Sequence, residues 1–158
     1  MKKYLILSLL MAFLVNAHAQ IVKSCDGNYS AKIVSKNEIV IEHAGREVGS
    51  SKINHSIAGG VFDSRSELLV VYGLPNKVDL QSPQAEYLSI YLMRPVLHKI
   101  MKRKYGGGVY DAAIGINPDL ILVSSRFGFD IVNIKTMETK SFDPSSEPQF
   151  PRQRCKND

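Results

Sequence analysis

Apolar positions along the chain come in short runs separated by polar breaks, with no long amphipathic stretch. Ile39-Val40-Ile41, Leu68-Leu69-Val70-Val71, Leu120-Ile121-Leu122-Val123 and Ile131-Val132 are rich in β-branched and aliphatic residues, and Gly, Pro, Asn, Asp and Ser bound them. That texture is the signature of strands joined by turns. It predicts strands over Tyr29–Val34, Glu38–His43, Val48–Ile53, Gly60–Phe62, Leu68–Tyr72, Tyr87–Leu92, Val109–Ala113, Leu120–Ser124, Asp130–Ile134 and Thr139–Phe142. One segment, Val96–Lys104, also satisfies a helical spacing, with Val96, Leu97, Ile100 and Met101 on one face behind Pro95.

A repeat decides that segment in favour of a strand. Gly59-Gly60-Val61-Phe62-Asp63 returns 48 residues later as Gly107-Gly108-Val109-Tyr110-Asp111. Behind each copy an acidic residue opens an aliphatic run (Glu67-Leu68-Leu69-Val70-Val71, then Asp119-Leu120-Ile121-Leu122-Val123), and an aromatic residue opens the next strand at Tyr87 and Phe129. Four strands in a period of about 40–50 residues is the arithmetic of a β-propeller blade. On this register Val96–Met101 is a fourth strand, matching Thr139–Phe142. Residues Asn28–Ile53 then hold about three strands, an incomplete blade. The expected fold class is all-β, a small propeller-like array of two to three antiparallel blades, with a β-sandwich as the alternative. Closed propellers need four to eight blades, so the chain is either a compact fragment of one or half of an assembly such as a homodimer.

The N-terminus changes the domain arithmetic. Lys2 and Lys3 precede an apolar stretch from Tyr4 to Val15, and Ala17-His18-Ala19 has the small-x-small form of a cleavage site. The apolar stretch is shorter than the roughly twenty residues that span a bilayer. Residues 1–19 are therefore expected to be a cleaved signal peptide and 20–158 a single domain of 139 residues (158 − 19), exported to the periplasm. Net charge drops from +5 to +3 when Lys2 and Lys3 leave (5 − 2), too mild to point to nucleic acid. No later run is long enough to span a membrane. In an oxidising compartment Cys25 and Cys155 either pair or stay buried as free thiols. A bond between them would tie the last blade to the first and stabilise by about 4–5 kcal/mol on the chain-entropy account.

The sequence carries no H-E-x-x-H, C-x-x-C, G-x-S-x-G or P-loop pattern. Tyr105-Gly106-Gly107-Gly108 leads into a strand, so it lacks the helix terminus that holds phosphate. Close backbone packing is its expected role. His43, His55 and His98 have no metal-like spacing, and the repeated Asp63 and Asp111 read as a pair of turn caps. No catalytic residue, metal or cofactor is expected, and no enzyme activity. Two features suggest binding. Fourteen residues, 73–86, separate Tyr72 from Tyr87, against four between the matching strands of the next blade; insertions in repeat folds often form the binding face. His98-Lys99-Ile100-Met101-Lys102-Arg103-Lys104 concentrates positive charge and offers Lys99, Lys102, Arg103 and Lys104 as an anion patch.

Ile116–Ser124 and Asp130–Thr139 resemble the turn and strands of WD40-type or quinoprotein-type propeller blades, departing from them at Leu120 and Asn133 and lacking G-H and W-D signatures. With its leader, Gly59-Gly60-Val61-Phe62, loop 73–86 and Cys155, the chain also resembles periplasmic immunity proteins that neutralise type VI secretion peptidoglycan-amidase effectors. That resemblance implies a protein partner, a secreted peptidoglycan amidase, whose cleft receives the loop and whose Cys–His pair it covers. Asn76, Lys77, Asp79, Gln81, Ser82 and Gln84 are then the contact residues, with Ser82 flanked by Gln81 and Gln84 as the plug. The alternative expectation is an envelope adhesion or scaffold module that binds anionic surface polymers through Lys99, Lys102, Arg103 and Lys104.

Overall fold

A computed structural model describes residues 20–155; the leader read over residues 1–19 lies outside them. Twelve strands form three four-stranded antiparallel sheets, each a meander in chain order. The first holds β1 (Val22–Lys23), β2 (Tyr29–Ser35), β3 (Glu38–His43) and β4 (Arg46–Lys52). The second holds β5 (Gly59–Phe62), β6 (Leu68–Gly73), β7 (Glu86–Leu92) and β8 (His98–Tyr105). The third holds β9 (Val109–Ile114), β10 (Leu120–Ser125), β11 (Gly128–Asn133) and β12 (Thr139–Phe142). The basic run is strand β8, as the repeat predicts, and the helical spacing of Val96–Lys104 is a coincidence of apolar positions. The two-residue β1 completes the first blade, which makes three full blades where the sequence suggested two and a fraction. Three sheets in series, rather than two face to face, replace the β-sandwich alternative.

The middle blade is buried on both faces, and its sequence shows why. Along Leu68-Leu69-Val70-Val71, Leu69 and Val71 pack into a core with Ala31, Ile39, Ile41 and Tyr91, while Leu68 and Val70 pack into a second core with Leu88, Ile90, Ile121 and Val123. A strand with two dry faces needs an unbroken apolar run, unlike the alternating strand of a half-solvated sheet. The first blade is drier at its centre than at its edges, with Ile39, Val40 and Ile41 all buried in β3. In β2 Ala31 faces the core, while on the opposite face Lys32, paired with Val40, reaches diagonally to Glu42 of the Ser30 pair at 2.6 Å. The inner strands sit close together: a Cβ on Gly60 would lie 3.1 Å from a Val22 methyl of β1 and 2.4 Å from the Val70 carbonyl, so only glycine fits.

Strand pairing corrects the repeat register. Leu69 pairs with Phe62 and Ile121 with Ile114, so the blades superpose at an offset of 52 residues (121 − 69 and 114 − 62), four more than the offset of the glycine motif. The downstream aliphatic strands are equivalent; the Gly-Gly-Val-aromatic-Asp copies are not. Asp63 caps a turn, its carboxylate accepting the Glu67 and Leu68 amides at 2.6 and 2.8 Å. Asp111 does not cap one: it lies within β9 and pairs with Arg152 at 3.1 Å. Asn117 caps that blade's turn instead, accepting the Asp119 amide at 3.1 Å.

The C-terminal segment straps the array. Past β12 it pairs with the end of β9, where the Gln153 amide donates to the Ile114 carbonyl at 2.9 Å. The Gln153 side chain then bridges blades, its Nε2 donating to the Gly115 carbonyl at 2.9 Å and its Oε1 accepting the Ser64 amide at 2.7 Å. The Cys25–Cys155 disulfide ends the strap on the first blade, which settles the choice between a bond and free thiols.

Candidate functional site

At the end of the array opposite the strap, the link between the first two blades runs beside the long loop of the second. The Ser56 amide donates to the Leu74 carbonyl at 2.8 Å and the Asn76 amide to the Asn54 carbonyl at 2.9 Å, so this stretch pairs like a short extra strand. Gly73 permits it. A Cβ there would fall 2.4 Å from the Ser56 carbonyl oxygen, a contact no side chain tolerates.

Beneath this junction lies His55, fully buried. Its Nδ1 meets the Ser56 carbonyl at 2.7 Å and its Nε2 meets the Ser89 hydroxyl at 2.8 Å. A carbonyl only accepts, so Nδ1 carries the proton and Nε2 accepts from Ser89. Burial pushes the imidazole pKa down to about 4, and the Lys99 and Lys102 ammoniums add to the effect. The ring is thus a neutral structural pin. Sealed from solvent, the Ser89–His55 pair has no surface through which a substrate could reach it. Sequence reasoning placed His55 with the other histidines, because nothing in its neighbourhood along the chain reports that it is buried.

The loop proper is residues 74–85, shorter than 73–86 because β6 runs through Gly73 and β7 starts at Glu86. The six contact residues proposed from sequence lie here but differ in their commitments. Asn76 is tied to the β2–β3 turn, its Nδ2 donating to the Lys36 carbonyl and, at 3.1 Å, to Asn37 Oδ1. Asp79 accepts the Gln81 amide at 3.0 Å and the Lys104 ammonium at 2.9 Å. Those bonds, that from Lys104 first, hold its carboxyl below the usual aspartate range. Ser82 is half-buried, its amide donating to the Asp79 carbonyl and its carbonyl accepting from the Ala85 amide, both at 3.0 Å. Lys77, Gln81 and Gln84 are exposed. The polar pattern missed the apolar tip: Leu80 is 91% exposed and Val78 55%.

The basic run splits because β8 carries an irregularity. Tyr91 pairs with Lys99 but Ile90 with Met101, which leaves Ile100 as an extra residue. Arg103 reaches the third blade, bonding Thr139 and pairing with Asp130 at 3.4 Å. Lys104 clamps the loop through Asp79. Lys102 stands 3.8 Å over the Tyr87 ring and Lys99 5.6 Å from the Tyr91 ring centre. The four cations therefore do not form one patch: two staple the fold, and two are left without a carboxylate partner among the described residues. No group of three or more His, Cys, Asp or Glu that could hold a metal occurs among the described residues, and no helix there is long and apolar enough to cross a membrane.

No protein-family model matches the chain, and no characterised protein matches it by sequence. Solved structures do match it in fold. The β-propeller domain of Cps50 (Swd1) from Myceliophteria thermophila superposes with a TM-score of 0.59 at 12% identity, covering 80% of this chain and 41% of that one. Kuenenia stuttgartiensis hydrazine synthase gives 0.57 at 14%, covering 77% and 34%, and a eukaryotic initiation factor gives 0.57 at 11%, covering 79% and 32%. The chain thus spans about a third to two-fifths of the length of these structures. At such identities the likeness concerns the fold alone: three stacked blades of propeller type, in an open array.

Proposed function

We propose that this is an exported binding protein that inhibits a secreted cell-wall hydrolase, acting as an immunity protein that presents loop 74–85 to the enzyme's active-site cleft. The observation that carries this reading is the state of the loop. Its N-terminal end and its centre are bonded to the body of the protein and Ala85 at its C-terminal end is buried, yet its tip holds Leu80 at 91% exposure. A loop ordered before binding avoids much of the entropy cost of docking, and an exposed aliphatic side chain on a fixed support gains apolar burial when it enters a partner's pocket. Insertions on one face of repeat arrays commonly serve this purpose. The Cys25–Cys155 bond fits an oxidising compartment, in keeping with the leader read over residues 1–19. Val78 and Leu80 are the anchors, Lys77, Gln81 and Gln84 form their polar rim, and Ser82 supports the turn from behind.

The test is inhibition of purified cell-wall amidases with a Cys–His active site by the mature protein, alongside a variant shortened across residues 77–84. The reading expects dose-dependent inhibition by the parent and none by the shortened protein. Equal inhibition by both would remove the loop from the mechanism.

A further inference from the structure

Two adjoining cavities, of about 700 and 410 Å³, open between the first blade, the link residues and the base of loop 74–85. They share Asn37 and Asn54 in their walls, so together they form one elongated cleft. Lys52 and Lys99 line the larger cavity, Lys36 and Lys77 the smaller. The ammonium groups of all four lack an ion-pair partner among the described residues. Glu38 is the one carboxylate in the walls, opposite Lys52 in the β3–β4 pairing, and Lys99 is half-buried. Burial and the neighbouring Lys102 both disfavour the charge on Lys99, a cost that an incoming anion would relieve. Between the lysines the polar wall groups are amides and hydroxyls, from Asn37, Asn54, Asn76, Ser35, Ser50 and Ser51, with Ile53, Pro75 and Tyr87 completing the lining.

We infer that this cleft binds an acidic glycan strand, its carboxylate or phosphate groups on Lys36, Lys77 and Lys99 and its hydroxyls on the Asn and Ser side chains. The wall chemistry favours a sugar over an acidic polypeptide. Amides and hydroxyls both donate and accept, as sugar hydroxyls do, which suits a chain of hydroxyls better than the alternating side chains of an extended peptide. The cleft shares Lys77 with the rim of the loop tip, whereas Lys99 and Lys36 lie away from it, so Lys99→Gln tests this inference apart from the inhibitor reading.

Calorimetric titration of the mature protein tests it, with oligogalacturonate as the carboxylated probe, a phosphorylated mannan oligosaccharide as the phosphorylated one, and neutral dextran and polyglutamate for comparison. Binding of at least one acidic glycan is expected, weakening as salt rises. Lys99→Gln should weaken it about tenfold and Lys77→Gln about threefold, while Lys135→Gln in the third blade leaves it unchanged. The stronger of the two acidic probes identifies the anionic group. Three results would overturn the inference: no binding of either glycan at low salt, equal loss with Lys135→Gln, or tighter binding of polyglutamate than of either glycan.

Discussion

Lowering the pH from 7 to 4.5 withdraws stability through a single buried side chain. His55 titrates at about 4 in the folded protein, against 6.5 for an exposed imidazole, with burial the largest cause. Between those values the unfolded chain binds a proton that the folded one does not, so stability falls as pH falls. The full gap corresponds to about 3 kcal/mol at about 1.4 kcal/mol per pH unit, and two to three of these are lost by pH 4.5. The window is clean with respect to the perturbed carboxyls. Those of Asp26, Asp79 and Asp143, held below their ordinary 3.8 mainly by bonds from Ser24, Lys104 and Ser145, titrate beneath it. Urea denaturation at pH 7, 5.5 and 4.5 should show this loss in the parent, and His55→Gln should remove most of the slope whatever its own stability at pH 7. Parallel pH profiles for the two proteins would refute the claim that His55 is sealed and neutral.

Three further outcomes follow from the same geometry. Cys25→Ser, or reduction of the parent, should cost up to about 5 kcal/mol, because the bond joins positions 130 residues apart; denaturation midpoints with and without reductant measure it. Asp63→Ala, which removes the acceptor of two buried-turn amides, should cost about 2–3 kcal/mol, while Asp111→Ala, which breaks only an exposed pair, should cost less than about 1 kcal/mol. Equal costs would restore the equivalence suggested by the glycine motif. Gly73→Ala, with its Cβ forced onto the Ser56 carbonyl, should cost about 1–3 kcal/mol and speed amide exchange at Ser56 and Asn76, the donors that tie loop to link.

Strand positions were legible because short apolar runs between turn residues report local structure, although the burial of Leu68–Val71 on both faces emerged only with the packing of the blades. The first strand, Val22–Lys23, was invisible because two residues carry no period. The motif register misled for a related reason: Gly60 is dictated by the approach of the Val70 carbonyl of the neighbouring strand, with Val22 crowding it further, whereas Gly108 serves a turn with φ +80. Identical letters answered different constraints. At the loop, the polar residues named from sequence are partly consumed by the body of the protein, since Asn76 and Asp79 bond across 39 and 25 residues of chain. Leu80, an aliphatic side chain held in solvent, could be recognised only once the loop's path was known. The lysine cleft was likewise hidden, because Lys36, Lys52, Lys77 and Lys99 come from different strands and turns and only Lys99 belongs to the visible basic run.

The measurement closest to the centre of this account is a dose–response curve for a Cys–His cell-wall amidase titrated with the parent protein and with Leu80→Glu. Leu80 makes almost no contact with its own chain, so the substitution leaves the thermal midpoint in place and acts only at the partner. The account predicts inhibition by the parent and a loss of about tenfold or more in potency for Leu80→Glu. Superimposed curves, or an absence of inhibition by the parent across such amidases, would contradict it.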